Sequence, residues 1–135
     1  MKENYTYGVI TQKIQDDDTT YYKVTVPDFN NYHFVVENEE DLIASCQSEI
    51  CLLIEDLEAE GKEAPASTNI IGKENEMVIY INLWMPYQRA LIKETYTKKT
   101  LTIPTWLDLL AKSKNINFSA TLVNGLKKEL GITKK

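Results

Sequence analysis

A short alternating segment near residue 100, followed by two short amphipathic helices, most restricts what this chain can fold into. Residues 98–103 place Leu101 and Ile103 on one face of a predicted strand, and lysine and threonine on the other. Pro104 follows, and its fixed φ suits the first position of a helix. A single strand of this length has an unpaired edge and too little core to be stable alone. The segment therefore predicts a second copy of the chain, whose strand pairs with it as an antiparallel two-stranded ribbon.

The two helices predicted after Pro104 each have one apolar face. The apolar residues are Trp106, Leu107, Leu110 and Ala111 in the first helix and Phe118, Leu122, Val123, Leu126 and Leu130 in the second. Asn117 or Ser119 is expected to cap the second helix by accepting a hydrogen bond from a free backbone amide. The core shared by the two copies is predicted to contain Leu101, Ile103, Trp106 and Leu122.

The outward face of the predicted ribbon is polar and partly basic, which indicates DNA binding. A two-stranded ribbon fits the major groove, where such side chains can contact base edges. The free amides at the start of the second helix can bind a phosphate. The predicted DNA-binding residues are Lys98, Lys99, Thr100, Thr102, Asn117 and Ser119. The alternative is an ordinary strand and helical hairpin packed on the first half of the chain, which leaves the polar outer face without a role.

Charge divides the chain into an acidic and a basic region. Residues 1–90 contain 17 Asp and Glu and 6 Lys and Arg, whereas residues 91–135 contain 3 acidic and 9 basic residues. The net charges are therefore −11 and +6, within a total of −5. A chance imbalance of the surface is a poor explanation for so large a difference. The division indicates two functions with two kinds of partner.

Residues 1–88 predict a β-β-β-α-β domain. The three strands are predicted at 5–15, 21–26 and 32–36, a helix from Asn38 to Gly61, and a strand at 77–85. The run Val-Ile-Tyr-Ile in the last strand indicates burial on both faces, as in a central strand. Residues 62–74 are predicted to be a loop. A linker at 89–97 is expected to lead to the C-terminal domain, residues 98–135, so the fold class is α+β.

The sequence offers few groups for a metal, a disulfide or a membrane span. Cys46 and Cys51 lie too far apart on the predicted helix for a disulfide, so reduced thiols are expected. His33 is the only histidine and no CxxC motif occurs, so neither a metal nor a cofactor is predicted. The sequence contains no run of 18 apolar residues and no signal peptide pattern, so we expect a soluble, cytoplasmic protein.

Several stretches match the pattern of one protein family over nearly the full length of the chain. Tyr22–Phe29 is similar to the family's strand that ends in a Pro-Asp turn, and the acidic helix Leu42–Gly61 follows at the usual distance. Lys99–Leu107 is the most similar stretch, followed by Asn117–Ser119 and Leu122. In these stretches the chain resembles the HicB family of antitoxins. The sequence departs from the family pattern at Asn30–Asn31 and Glu37–Glu39, where many relatives have Pro-Gly and Gly-Asp pairs.

The resemblance implies an antitoxin rather than an enzyme. Its N-terminal domain would have a degraded ribonuclease-H-like fold that binds and masks a HicA-type toxin, which is a small basic mRNA endoribonuclease. Its C-terminal ribbon-helix-helix domain would form a homodimer and repress the toxin-antitoxin operon by binding operator DNA. The acidic region suits a basic toxin, since opposite charges speed association. The candidate toxin-binding residues are Tyr21, Asp28, Glu37 and Glu39.

Three other functions fit the sequence less well. A metal-dependent nuclease needs clustered carboxylates, but Asp16–Asp18 is typical of a solvated turn and Asp28 stands alone. RNA binding by the N-terminal region conflicts with its net charge of −11. The main alternative is a stand-alone ribbon-helix-helix repressor whose N-terminal domain senses a small ligand, although no glycine-rich phosphate loop supports it.

Overall fold

The computed structural model describes residues 2–94 and 96–132. The chain divides into two compact units, residues 1–96 and 97–135, here called the N-terminal unit and the C-terminal unit. The described part is a mixed α+β fold with a four-stranded antiparallel sheet and four α-helices. None of its helices is both long enough and apolar enough to cross a membrane.

The N-terminal unit follows the predicted β-β-β-α-β order and then adds one more helix. Its elements are β1 (Asn4–Asp16), β2 (Thr19–Val26), β3 (Tyr32–Val36), α1 (Leu42–Ala59), β4 (Met77–Trp84) and α2 (Met85–Lys93). The sheet order is β3-β2-β1-β4, and every neighbouring pair is antiparallel. The β1–β2 hairpin turns at Asp17, which has a left-handed backbone (φ 54°).

The core of the N-terminal unit lies between α1 and one face of the sheet. Cross-strand partners such as Tyr7 and Ile81, or Tyr22 and Val36, lie on this face. The fully buried side chains are Tyr7, Val9, Val24, Val26, Cys46, Ile50, Cys51, Ile54, Ile81, Leu83 and Met85. Both cysteines are therefore buried free thiols, and burial raises the pKa of Cys46 to about 11 because the thiolate would lose its hydration.

The position of β4 corrects the prediction of a central strand. β4 lies at the edge of the four-stranded sheet, next to β1. The chain that follows α1 returns across part of its second face, near Tyr80: the amide of Ile70 donates to the hydroxyl of Tyr80 (2.9 Å), and that hydroxyl donates to Asn69 (3.1 Å). Gly8 makes this close approach possible, since a Cβ there would lie 2.7 Å from Cγ1 of Ile70. The residues predicted as a loop thus cover part of the sheet.

Helix α1 starts later than predicted, whereas its C-terminal stop agrees with the prediction. The α-helix begins at Leu42 rather than at Asn38, because Glu39–Asp41 forms a 3-10 turn. The side-chain amide of Asn38 lies 3.4 Å from the Asp41 carboxylate, so it does not cap the helix. At the other end, the helix stops at Ala59, and Gly61, two residues later, adopts a left-handed backbone (φ 75°), which confirms the predicted stop.

Helix α2 occupies part of the range predicted as a linker. Residues 89–93 are its last turns, and its Arg89 forms ion pairs with Glu55 and Glu58 of α1. The sequence predicts a linker in place of this helix, because Pro86 at the start of the helix also fits the end of a strand.

The C-terminal unit contains the two predicted helices, α3 (Thr105–Ser113) and α4 (Phe118–Glu129). Pro104 precedes α3 as its N-cap residue with an extended ψ of 142°, one position before the predicted one. Asn117 caps α4 by accepting a hydrogen bond from the amide of Ala120 (3.0 Å). In the part of the chain that the structure describes, residues 98–103 form no strand, so the ribbon stays a prediction.

Candidate protein and nucleic-acid interfaces

The described part of the C-terminal unit has an apolar groove and no buried core. None of its described side chains is buried, although the unit is rich in leucine, isoleucine and aromatic residues. A groove of about 700 Å³ runs between the 99–103 segment and the two helices. Its apolar lining includes Leu101, Ile103, Leu107, Leu110, Phe118 and Leu122. An isolated unit of this kind is unstable in water, because its apolar surface is far from covered.

All four residues predicted for a shared core are exposed in the single chain. Trp106 is 64% exposed and Leu101 is 61% exposed, while Ile103 and Leu122 retain 42% and 36%. Leu101, Ile103 and Leu122 line the groove between the segment and the helices; Trp106 lies at the start of α3 outside this lining. The structure therefore leaves these side chains available to a partner.

The residues predicted to contact DNA are all exposed and fall into two groups. Lys98, Lys99, Thr100 and Thr102 lie in the segment before α3. Asn117 and Ser119 lie at the start of α4, where the Asn117 side chain is already used as the helix cap. The remaining first-turn amides and the positive end of the helix dipole are the groups suited to a phosphate.

The four predicted toxin-binding residues do not form one surface. Glu37 and Glu39 follow β3 at one end of the sheet, whereas Asp28 lies in the Pro27–Phe29 turn at the other end. Tyr21 points to the sheet face opposite α1, since it alternates with Tyr22. The sequence suggested these residues by their type and expected exposure. Because β2 and β3 are antiparallel, the turn between them and the segment after β3 lie at opposite ends of the sheet.

Two of the predicted carboxylates already have partners within the chain. The hydroxyl of Tyr22 donates to Glu39 (3.0 Å), and the pKa of Tyr22 is raised by its loss of solvent and by this carboxylate. Asp28 accepts hydrogen bonds from the amide (3.1 Å) and the hydroxyl (2.5 Å) of Thr68. Asp28 thus anchors the chain that follows α1, a role that pattern analysis missed because the two residues are 40 positions apart.

An exposed aromatic pair on the N-terminal unit was also missed. Trp84 ends β4 and Tyr87 lies in the first turn of α2, and their rings stack with centroids 6.2 Å apart. The two residues lie on either side of the strand-to-helix junction, so neither the strand period nor the helix period alone places them together.

Within residues 2–94 and 96–132, no group of three or more His, Cys, Asp or Glu side chains is placed to hold a metal ion.

Comparison with known proteins finds similarity in structure rather than in sequence. No protein-family model matches this sequence, and no curated protein sequence matches it significantly. A chain of a solved toxin-antitoxin complex from Streptococcus pneumoniae is similar in structure, with a TM-score of 0.51 and 21% sequence identity. The match covers 93% of this chain and 99% of that chain. At this level of identity the likeness shows a shared fold.

Proposed function

We propose that this protein is a cytoplasmic antitoxin of the HicB type. Its N-terminal unit, with a degraded ribonuclease-H-like fold, binds and masks a HicA-type endoribonuclease toxin. Its C-terminal unit forms a ribbon-helix-helix homodimer that binds operator DNA and represses the operon. The chain itself has no catalytic activity and needs no cofactor. The observation that carries the proposal is the groove of the C-terminal unit, whose apolar lining lies beside an exposed basic segment.

A second copy of the chain is the partner that suits this groove. Pairing of two 98–103 segments satisfies the backbone groups for which the described residues provide no partner. The same pairing covers Leu101 and Ile103 with their counterparts and with the helices of the other copy. One arrangement thus supplies both the missing hydrogen bonds and the missing core.

DNA fits the surface that such pairing would leave outside. If Leu101 and Ile103 face the shared core, then Lys98, Thr100 and Thr102 face away from it. Two strands would present these residues twice, related by two-fold symmetry, which predicts a palindromic operator.

The acidic N-terminal unit supports a basic protein partner. A net charge of −11 over residues 1–90 repels nucleic acid but attracts a positively charged protein. The fold shared with a chain of a toxin-antitoxin complex agrees with this role. Inhibition by covering the toxin's active site requires no catalytic group on the antitoxin.

Co-expression of the chain with the neighbouring reading frame, followed by affinity capture, tests the proposal. We expect a stable complex with a small basic protein, and the captured complex should bind DNA from upstream of its own genes. Isolation of the chain alone, with DNA binding that responds to a small metabolite, would instead favour the ligand-sensing repressor. Metal-dependent RNA cleavage by the chain itself would contradict the non-catalytic role.

A further inference from the structure

A groove on the N-terminal unit combines an apolar floor with an acidic rim. It has a volume of about 350 Å³ and lies between the Pro27–Phe29 turn, the last turns of α1 and the chain that follows α1. Its floor consists of Phe29, Leu53, Leu57 and Pro65. Leu53, Leu57 and Pro65 are half-buried, so apolar surface remains open to solvent at its base.

Four carboxylates surround this floor: Asp28, Asp56, Glu60 and Glu63. Asp28 is bound to Thr68, and Glu60 forms an exposed ion pair with Lys62 (3.0 Å). For Asp56 and Glu63, the described part of the chain provides neither a hydrogen bond nor an ion pair. The groove therefore carries negative charge that the protein itself does not neutralise.

The acidic residues near the C-terminal end of α1 lie on two sides of the helix, one facing α2 and the other facing the groove. Glu55 and Glu58 both bind Arg89 of α2 and share its single positive charge. Asp56 and Glu60 face the groove, near the negative end of the helix dipole, and no basic residue lies in the last turn. Carboxylates at this end of a helix are unfavourable by themselves, whereas a cation there is stabilised. The local field thus favours a positively charged ligand.

We propose that this groove receives an arginine or lysine side chain of the protein partner. The inference rests on the proposed function, since it assigns one contact of the antitoxin with its toxin. The aliphatic stem lies on Leu57 and Phe29, as long cationic side chains do on apolar surface. The charged head pairs with Asp56 and Glu63, where it gains charge-assisted hydrogen bonds. One cationic side chain would thus contact both the apolar floor and the unpaired carboxylates.

An NMR titration of the full-length protein with Nα-acetyl-arginine methylamide tests the groove without the partner. We expect saturable shifts of the Phe29, Leu53 and Leu57 amides, with a dissociation constant on the order of millimolar. The variant Asp56→Asn/Glu63→Gln should weaken this binding about 10-fold. The matched control, Asp17→Asn/Asp18→Asn in the β1–β2 turn, changes the charge equally and should bind as the native protein does. Equal weakening in both variants would mean general charge attraction and would overturn the proposal.

Two further ligands define the chemistry of the groove. Nα-acetyl-lysine methylamide should produce shifts of the same amides. The uncharged compound Nα-acetyl-norleucine methylamide should bind at least about 10-fold more weakly than either cationic ligand. Equal binding of norleucine would show an apolar site and overturn the role of the rim. A lower mass of the Asp56→Asn/Glu63→Gln variant in solution would show that a second copy of the chain fills the groove, which also overturns the proposal.

Binding of the captured partner separates this inference from the proposed function. Asp56→Asn/Glu63→Gln should dissociate from the partner about 10-fold more readily than the Asp17→Asn/Asp18→Asn control, most clearly at low salt. Equal affinities would place the contact elsewhere and overturn the inference while the antitoxin role stands. If the native chain captures no partner at all, the proposed function fails, and the inference, which assigns one of its contacts, fails with it whatever the titration shows.

Discussion

The guanidinium of Arg89 in α2 binds the carboxylate of Glu55 in α1 at 2.6 Å, through Nη1. Nη2 of the same side chain binds Glu58 at 3.0 Å. The three side chains retain only 18–24% of their exposure, so water screens these pairs less than it screens surface pairs. Together they fix α2 on α1, which makes the region after β4 part of the N-terminal unit.

Replacement of Arg89 by alanine should destabilise the N-terminal unit by about 1–3 kcal/mol, because it leaves two partly buried carboxylates without a cation. Urea unfolding monitored by tryptophan fluorescence measures this destabilisation. Lys62→Ala is the matched control. The side chains of Lys62 and Glu60 are 66% and 60% exposed, so their ion pair should contribute less than about 0.5 kcal/mol. Similar effects in the two variants would contradict the structural role of Arg89.

Tyr7 should make the stability depend on pH in the alkaline range. Burial, with the nearby charges of Tyr5 and Asp28, raises its pKa from 10.0 to about 12, and its hydroxyl donates to the carbonyl of Pro65 (2.6 Å). Because the folded pKa exceeds the unfolded one, the contribution is complete below pH 10 and is lost as the pH rises towards 12.

Urea unfolding between pH 9 and 11 should therefore show a steeper loss of stability for the native protein than for Tyr7→Phe. The slopes should differ by up to about 1.4 kcal/mol per pH unit, the value for one proton. At pH 7, Tyr7→Phe should lose only the hydrogen bond, about 1 kcal/mol. Parallel alkaline slopes would show that Tyr7 does not titrate differently in the folded state.

The sequence predicts the element order well because its patterns are local. Alternation in β2, the apolar stripe of α1 and the stop at Gly61 each depend on neighbouring residues. The edge position of β4 could not be predicted, because its apolar second face is also what a central strand requires. Only the return of residues 69–72 across the sheet, an interaction distant in sequence, distinguishes the two.

Gly8→Ala tests that return of the chain. The new Cβ would lie 2.7 Å from Cγ1 of Ile70, so we expect a destabilisation of about 1–3 kcal/mol from overpacking. The same change in an Ile70→Ala background removes the nearest atom and should have a smaller effect, which a double-mutant cycle measures. If the two changes act additively, Ile70 does not pack on Gly8.

The sequence predicts a site residue well where its role depends on local structure, and poorly where its role depends on tertiary contacts. Asn117 as the cap of α4 follows from local sequence, and the structure confirms it. The proposed toxin contacts depend on which exposed carboxylates remain unpaired. Asp28 and Glu39 are bound within the chain, while Asp56 and Glu63 have no partner in its described part. That difference is created by tertiary contacts and has no signature in the pattern.

Leu101→Asp should abolish the proposed dimer, because pairing would bury a charge in an apolar groove. Light scattering should then give the 15.5 kDa of one chain instead of twice that mass. Thr100→Ala, the adjacent residue on the predicted outer face, should leave the mass unchanged and reduce only the sequence preference of DNA binding. A dimer that survives Leu101→Asp would refute pairing through this segment.

Lys98→Ala should weaken DNA binding to a similar degree for specific and non-specific sequences, since a lysine at the margin of the ribbon reaches phosphate more readily than a base edge. Fluorescence anisotropy at several salt concentrations measures this. The slope of log affinity against log salt should fall by about one unit for each phosphate that is no longer neutralised, so by about two units per dimer. Lys62→Ala removes the same charge from the N-terminal unit and should leave the slope unchanged. An unchanged slope in Lys98→Ala would mean that the basic segment does not lie against the DNA backbone.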